Sequence, residues 1–162
     1  MEEGDKEILE LWEKIKEYSL REFNKIYDLL NISFDLITGE SEQNKRSQVI
    51  IDDLIKRNIA KKSGDSIIID LKDEGKSVGL LRKSDGTTIY LSRDLAAAID
   101  RKNRYNFDEM IYEVGSEQRL HFQQLFRILE KMNFDWSTRL RHIAHGLYLN
   151  KEGKKLSTRQ GT

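Results

Sequence analysis

Tyr90 and Asp94 stand four residues apart in the stretch Tyr90-Leu91-Ser92-Arg93-Asp94, and together they form the first constellation able to do chemistry. They lie where a β-rich run gives way to a helical pattern, and open α/β sheets bind ligands at the carboxyl ends of their strands. A carboxylate accepts two hydrogen bonds from a planar guanidinium, and a phenol adds an oxygen or a ring face, so the pair suits a cationic ligand. A structural alternative stands beside this reading: Asp94 or Ser92 caps the helix and Tyr90 packs.

The second stretch, Gly115-Ser116-Glu117-Gln118-Arg119-Leu120-His121-Phe122-Gln123-Gln124, again follows a predicted strand and opens a predicted helix. Backbone amides at such a helix start can receive a phosphate or a carboxylate. Gln118 and His121, three apart, share one helix face, while Phe122 and Phe126 turn toward the core. The alternative is that His121 is a hydrogen-bonded structural residue. The third stretch is residues 151–162, a basic segment with two glycines and several hydroxyl side chains. It can be a loop that closes over phosphates or a solvated basic tail, and it lacks the GxxxxGK[ST] pattern of a Walker loop.

These stretches need elements to hold them. Apolar residues at Ile8, Leu11, Trp12, Ile15, Phe23, Ile26, Tyr27 and Leu30 predict a helix over 6–30. The run 32–37 predicts a strand, Gly39 a break, and Ser41 the cap of a helix whose stripe is Ile50, Ile51, Leu54 and Ile55. A turn at Ser63-Gly64-Asp65 leads into the β-branched run Ile67-Ile68-Ile69. Ser84-Asp85-Gly86 predicts a turn between strands at 78–81 and 87–91. Beyond it come a small-residue helix over 95–99, a strand over 110–114, a helix with the stripe Phe122, Leu125, Phe126, Leu129, and a strand over 142–149. This alternation indicates βαβ units and a parallel sheet.

The 162 residues allow one ordinary domain or two small ones. Net charge is zero from 28 basic and 28 acidic groups, so no uniform basic field draws the chain onto nucleic acid. The balance is uneven, because residues 1–60 carry 9 basic and 14 acidic groups and residues 61–162 carry 19 and 14. An anionic partner should meet the second part. A 38% hydrophobic content supports a modest core and argues against a disordered chain. The absence of cysteine excludes disulfides, thiolate zinc sites and a cysteine nucleophile, and is compatible with a reducing cytoplasm. No apolar run approaches the roughly 20 residues that cross a bilayer.

Taken in order and at these distances, the three stretches resemble the arginyl-tRNA synthetases, a family of class I aminoacyl-tRNA synthetases, over essentially the whole chain. Lys83-Ser84-Asp85-Gly86-Thr87-Thr88-Ile89-Tyr90-Leu91-Ser92-Arg93-Asp94 is similar to the family's segment around its arginine pocket. Residues 112–121 are similar to its next strand and helix, and Leu156-Ser157-Thr158-Arg159-Gln160-Gly161-Thr162 to its form of the KMSKS loop. Trp12, Tyr18, Phe23, Tyr27, residues 31–35 and Gly39-Glu40-Ser41 resemble the insertion that precedes the second half of the catalytic domain.

The resemblance implies an α/β fold: the second half of a Rossmann-like parallel-sheet core (81–162), preceded by a helical and mixed insertion (1–80). It implies arginine binding by Tyr90, Asp94 and Gln118, with ATP binding by His121, His145, Gly146, Leu147 and Lys155. Lys155, Ser157 and Arg159 become the catalytic set of the loop. Thr158 replaces the second lysine of the general motif, so Arg159 or another basic group would supply that charge. The implied reaction is activation of arginine by ATP with Mg2+, without a tightly bound cofactor or a protein-held metal, followed by transfer to arginine tRNA in the cytoplasm with no membrane partner. His121, His142 and His145 are the only histidines, and none stands in a HIGH-type motif. The chain is therefore expected to be a segment of a longer ligase and inactive by itself. A stand-alone module that binds tRNA or protein through a partial synthetase fold is the alternative.

Overall fold

The first segment forms one helix, α1 (Lys6–Leu30), as the three-and-four spacing predicts, but its apolar stripe is not buried: Ile8, Leu11, Ile15, Phe23, Ile26 and Leu30 are exposed. The structure is a computed structural model that describes residues 6–39, 43–72, 75, 77–147 and 149–154. It divides the chain into two units, Met1–Thr38 and Gly39–Thr162. In the first unit, α1 is laced by Glu22–Lys25 and Glu13–Lys16 ion pairs, and Lys16 and Arg21 lie over the rings of Trp12 and Tyr18. The strand expected over 32–37 does not form. A strand needs a partner for its backbone groups, and the described residues of this unit offer α1 alone. Phe34 instead meets Tyr27 edge to face at 4.8 Å, after a turn in which the Ile32 N–H donates to the Tyr27 carbonyl at 2.8 Å.

The second unit begins with α2 (Asn44–Lys56), which buries Ser47, Ile51 and Leu54 along one face. Ser41, the expected cap, lies outside the described residues, and Gln43 at the cap position makes no side-chain capping bond. Three short strands follow in an antiparallel sheet, β1 (Lys61–Ser63), β2 (Ser66–Ile69) and β3 (Gly79–Arg82). Gly64, with φ +58°, makes the tight turn between the first two. Ile67 and Ile69 on β2 and Leu81 on β3 point inward in the period-two pattern. Because β3 pairs with β2, this sheet crosses residue 80, where the resemblance draws its division.

The strand expected over 87–91 is reduced to a bridge between Thr88 and Arg82, and Tyr90 already opens α3 (Tyr90–Tyr105). Leu91 and Leu95 explain the difference: four apart and both buried, they need a helical period to reach the same core. Then come β4 (Met110–Gly115), a single 3₁₀ turn (Ser116–Gln118), α4 (Arg119–Lys131) and β5 (Leu140–His145). β4 and β5 pair in parallel through α4, the predicted βαβ unit. The last strand begins two residues before and ends four residues before the expected 142–149, because Leu140 aligns with Met110 and is buried, and the pairing ends where His145 meets Gly115. One core joins Ile51 and Leu54 of α2, the inward residues of β2 and β3, Leu91, Leu95 and Ala98 of α3, and Phe122, Leu125, Ile128 and Leu129 of α4.

The chain contains no proline, and its helices stop by another device. Asn31, Asn58, Asn106 and Asn133 follow the four α-helices found among the described residues, each with positive φ, the conformation that asparagine tolerates better than other non-glycine residues.

Gly79 marks the closest approach of α3 to the sheet. A Cβ there would stand 2.9 Å from Ile69 Cγ2 and 3.0 Å from Leu91 Cδ2. Gly79→Ala should therefore destabilise the second unit by about 1–3 kcal/mol, read as a lower urea midpoint at unchanged slope.

Candidate functional site

The register of β4 and β5 brings their carboxyl ends together, since Gly115 lies opposite His145. The 3₁₀ turn carrying Gln118 and the first turn of α4 carrying His121 leave from one strand, and Gly146 and Leu147 leave from the other. This is the crevice side of a parallel sheet. α3 reaches the same region through its N-terminal end, where Tyr90 and Asp94, four apart, share a face.

Across that junction His121 Nε2 lies 2.7 Å from Asp94 Oδ2, within hydrogen-bond distance. The carboxylate accepts, so Nε2 carries the proton. The Asp94 side chain is 31% exposed, which leaves it open to solvent on one side. Tyr90 is 68% exposed and does not pack in the core. Capping does not explain these residues. Ile89 occupies the cap position of α3, the buried Ser92 donates its hydroxyl to the Ile89 carbonyl at 2.8 Å, and Asp94 points to another helix. The turn before α3 is pinned by Arg93, whose guanidinium donates to the carbonyl and hydroxyl oxygens of Thr88 at 3.0 and 3.3 Å.

Behind His121 stands an aromatic cluster. Its ring meets Phe122 edge-on at 5.3 Å, and Phe122 lies 4.8 Å from Tyr112 and 4.4 Å from His142. His142 Nε2 donates to the Val114 carbonyl at 2.9 Å, fixing the ring at the sheet. Burial pushes the Tyr112 phenol up from its ordinary value near 10 to about 12. The Arg101 charge opposes that rise, and the Asp94 charge adds to it, so Asp94, Arg101 and Tyr112 share one electrostatic neighbourhood.

At the other strand end, His145 Nδ1 lies 2.8 Å from the Gly146 carbonyl oxygen. A Cβ on Gly146 would meet nothing within 4 Å, so the chain's own packing does not require glycine there. Gln118 is exposed at the cap position of α4, and Leu147 is exposed beyond β5. Lys155, Ser157 and Arg159 lie outside the described residues. A cleft of about 420 Å3, lined by Arg119, Phe122, Gln123, Phe126, His142 and Ala144, opens between α4 and β5 and contains none of the predicted site residues. Sequence reasoning missed the aromatic support of His121. Its signal was present in Tyr112 and Phe122, two inward positions flanking the same turn.

A family model described as tRNA synthetases class I (R), catalytic domain, matches residues 1–162. The chain belongs to this family. This synthetase segment is 45% identical over 161 residues to an arginine–tRNA ligase of Clostridioides difficile (strain 630), covering 99% of the chain and 28% of that protein. It is 43% identical over 162 residues to an arginine–tRNA ligase of Streptococcus pyogenes (serotype M5, strain Manfredo), covering 99% of the chain and 29% of that protein. Among solved structures, the arginyl-tRNA synthetase of Plasmodium falciparum superposes with a TM-score of 0.79 at 29% identity, over 90% of this chain and 26% of that one. The segment thus spans less than a third of the curated relatives that it matches. Its mixed α/β fold with a parallel strand pair is that of an arginyl-tRNA synthetase.

The raised Tyr112 phenol has a stability consequence. The folded state favours the neutral phenol, so this contribution is complete below about pH 10 and is lost as pH rises toward 12. Tyr112→Phe should abolish that loss, seen as a shallower fall in Tm between pH 10 and 12 than in the parent chain.

Proposed function

We propose that this chain supplies the arginine-facing surface, and part of the ATP-facing surface, of an arginine–tRNA ligase. The observation that carries the reading is the Asp94 carboxylate, held at the mouth of the crevice and open on one side beside an exposed phenol. Tyr90 and Asp94 receive the guanidinium, and Gln118, at the start of α4, contacts the amino-acid end. His145, Gly146 and Leu147 line the adenine side, where the open space at Gly146 supports a close backbone approach. The resemblance also implies an ATP contact for His121, but its Nε2 bond to Asp94 favours a role on the arginine side instead. The division into an insertion (1–80) and the second half of the nucleotide-binding core (81–162) belongs to the same reading.

In the reaction, the arginine carboxylate attacks the α-phosphate of ATP and expels pyrophosphate, and the arginyl group then passes to the terminal adenosine of arginine tRNA. No protein nucleophile takes part. The protein's work is to align the reactants and stabilise the charge on the departing pyrophosphate, a task for Lys155, Ser157 and Arg159 of the basic loop. Magnesium would accompany the phosphates of ATP. No helix among the described residues is long and apolar enough to cross a membrane, and the cytoplasm is the proposed compartment.

In a full-length ligase carrying this segment, Asp94→Asn should raise the KM for arginine by about 100-fold, the scale of losing charge-assisted hydrogen bonds, with the ATP KM little changed. An unaltered arginine KM would refute the pocket assignment. The 162-residue chain alone should give no arginine-dependent ATP–pyrophosphate exchange, and robust exchange would show that it needs no further half-site.

A further inference from the structure

We propose that His121 is a positioning residue for substrate arginine: by holding Oδ2 of Asp94, its Nε2–H presents Oδ1 to the incoming guanidinium. This rests on the arginine-pocket reading and deepens it. An aspartate carboxylate turns freely about its last bond, and one open to solvent on one side has little of its own to choose an orientation. The 2.7 Å bond to His121 makes that choice, and its length is that of a charge-assisted hydrogen bond.

The donor is itself fixed. His121 sits in the first turn of α4, edge-on to Phe122, which is buried and packed between Tyr112 and His142. The imidazole therefore transmits the rigidity of the aromatic core to a partly exposed carboxylate. A neutral imidazole can do this without cancelling the negative charge that a guanidinium needs, which a lysine or arginine in the same place could not. Because Nε2 is committed to Asp94, this side chain works on the amino-acid side of the crevice and not on ATP. The two partners are 27 residues apart, on different helices, and only the folded chain joins them.

Two measurements test this. In the 162-residue chain, imidazole 15N spectra at pH 8 should show His121 almost wholly as the Nε2–H tautomer, and Asp94→Ala should lower that share to the intrinsic preference of a free imidazole. In a full-length ligase carrying the segment, His121→Ala should raise the KM for arginine about tenfold, the scale of one hydrogen bond to a charged group, with kcat and the ATP KM unchanged. His121→Gln, whose amide can reach the same oxygen, should bring the arginine KM back to within about threefold of the parent. An unchanged arginine KM in His121→Ala, alongside a raised one in Asp94→Asn, would overturn the positioning role and leave the pocket standing. A rise in the ATP KM alone, or a glutamine variant as impaired as the alanine one, would also overturn it. Loss of effect in Asp94→Asn as well would remove the pocket reading beneath it.

Discussion

Every residue assigned to the crevice depends on the parallel pairing of β4 with β5. Parallel strands cannot be joined by a tight turn, so the chain must cross over through α4 and start the second strand at the same end as the first. The crossover therefore sends both strands out at one edge, in register from Met110 opposite Leu140 to Gly115 opposite His145. Gln118 and His121 rise from one strand end, and Gly146 and Leu147 from the other. α4 in turn packs against α3, and that contact carries the N-terminal end of α3 to the same edge. Asp94 then finds His121 without any side chain having to stretch.

Packing on the helical side secures this arrangement. Phe122, Leu125, Ile128 and Leu129 bury one stripe of α4, and Leu91, Leu95 and Ala98 bury one stripe of α3. The small residues of α3 and the glycine at position 79 allow close contact with the sheet. On the opposite face of the strand pair, Ile111 and Ile143 are about half exposed. Parallel sheets ordinarily bury both faces, so this apolar surface accords with a segment spanning less than a third of its curated relatives. The charge division has a matching location: the basic excess lies in the part bearing the crevice, and the acidic excess lies in the part bearing α1 and α2.

Elements with a strong period were legible in the sequence. The stripes of α2 and α4 and the β-branched run of β2 were read in their observed places, and so was the span of α1, whose apolar stripe is nonetheless exposed. The errors came where a short apolar run fits two periods. Residues 32–37 alternate as a strand would but have no partner strand, and residues 87–91 look extended until burial of Leu91 with Leu95 imposes a helix. The four asparagines that end the helices carried a stop signal that was readable in principle, because a chain without proline must end its helices by another means. The tyrosine–aspartate spacing suited a cation-binding face, yet it could not by itself separate such a face from a helix cap.

By itself, the sequence determined the family, the βαβ order of the second part, and the chemical types gathered near the carboxyl ends of its strands. These follow from local patterns and from motifs kept at fixed distances along the chain. The tertiary structure alone decided which group Asp94 meets. A carboxylate four residues after a tyrosine can cap, pair or bind, and the outcome depends on which group stands beside it in space. Here that group is His121, brought within 2.7 Å by the packing of α3 on α4 and held there by Phe122. Local sequence preferences contain no term for a contact between residues 27 positions apart, and such a contact exists only once the core has placed both helices.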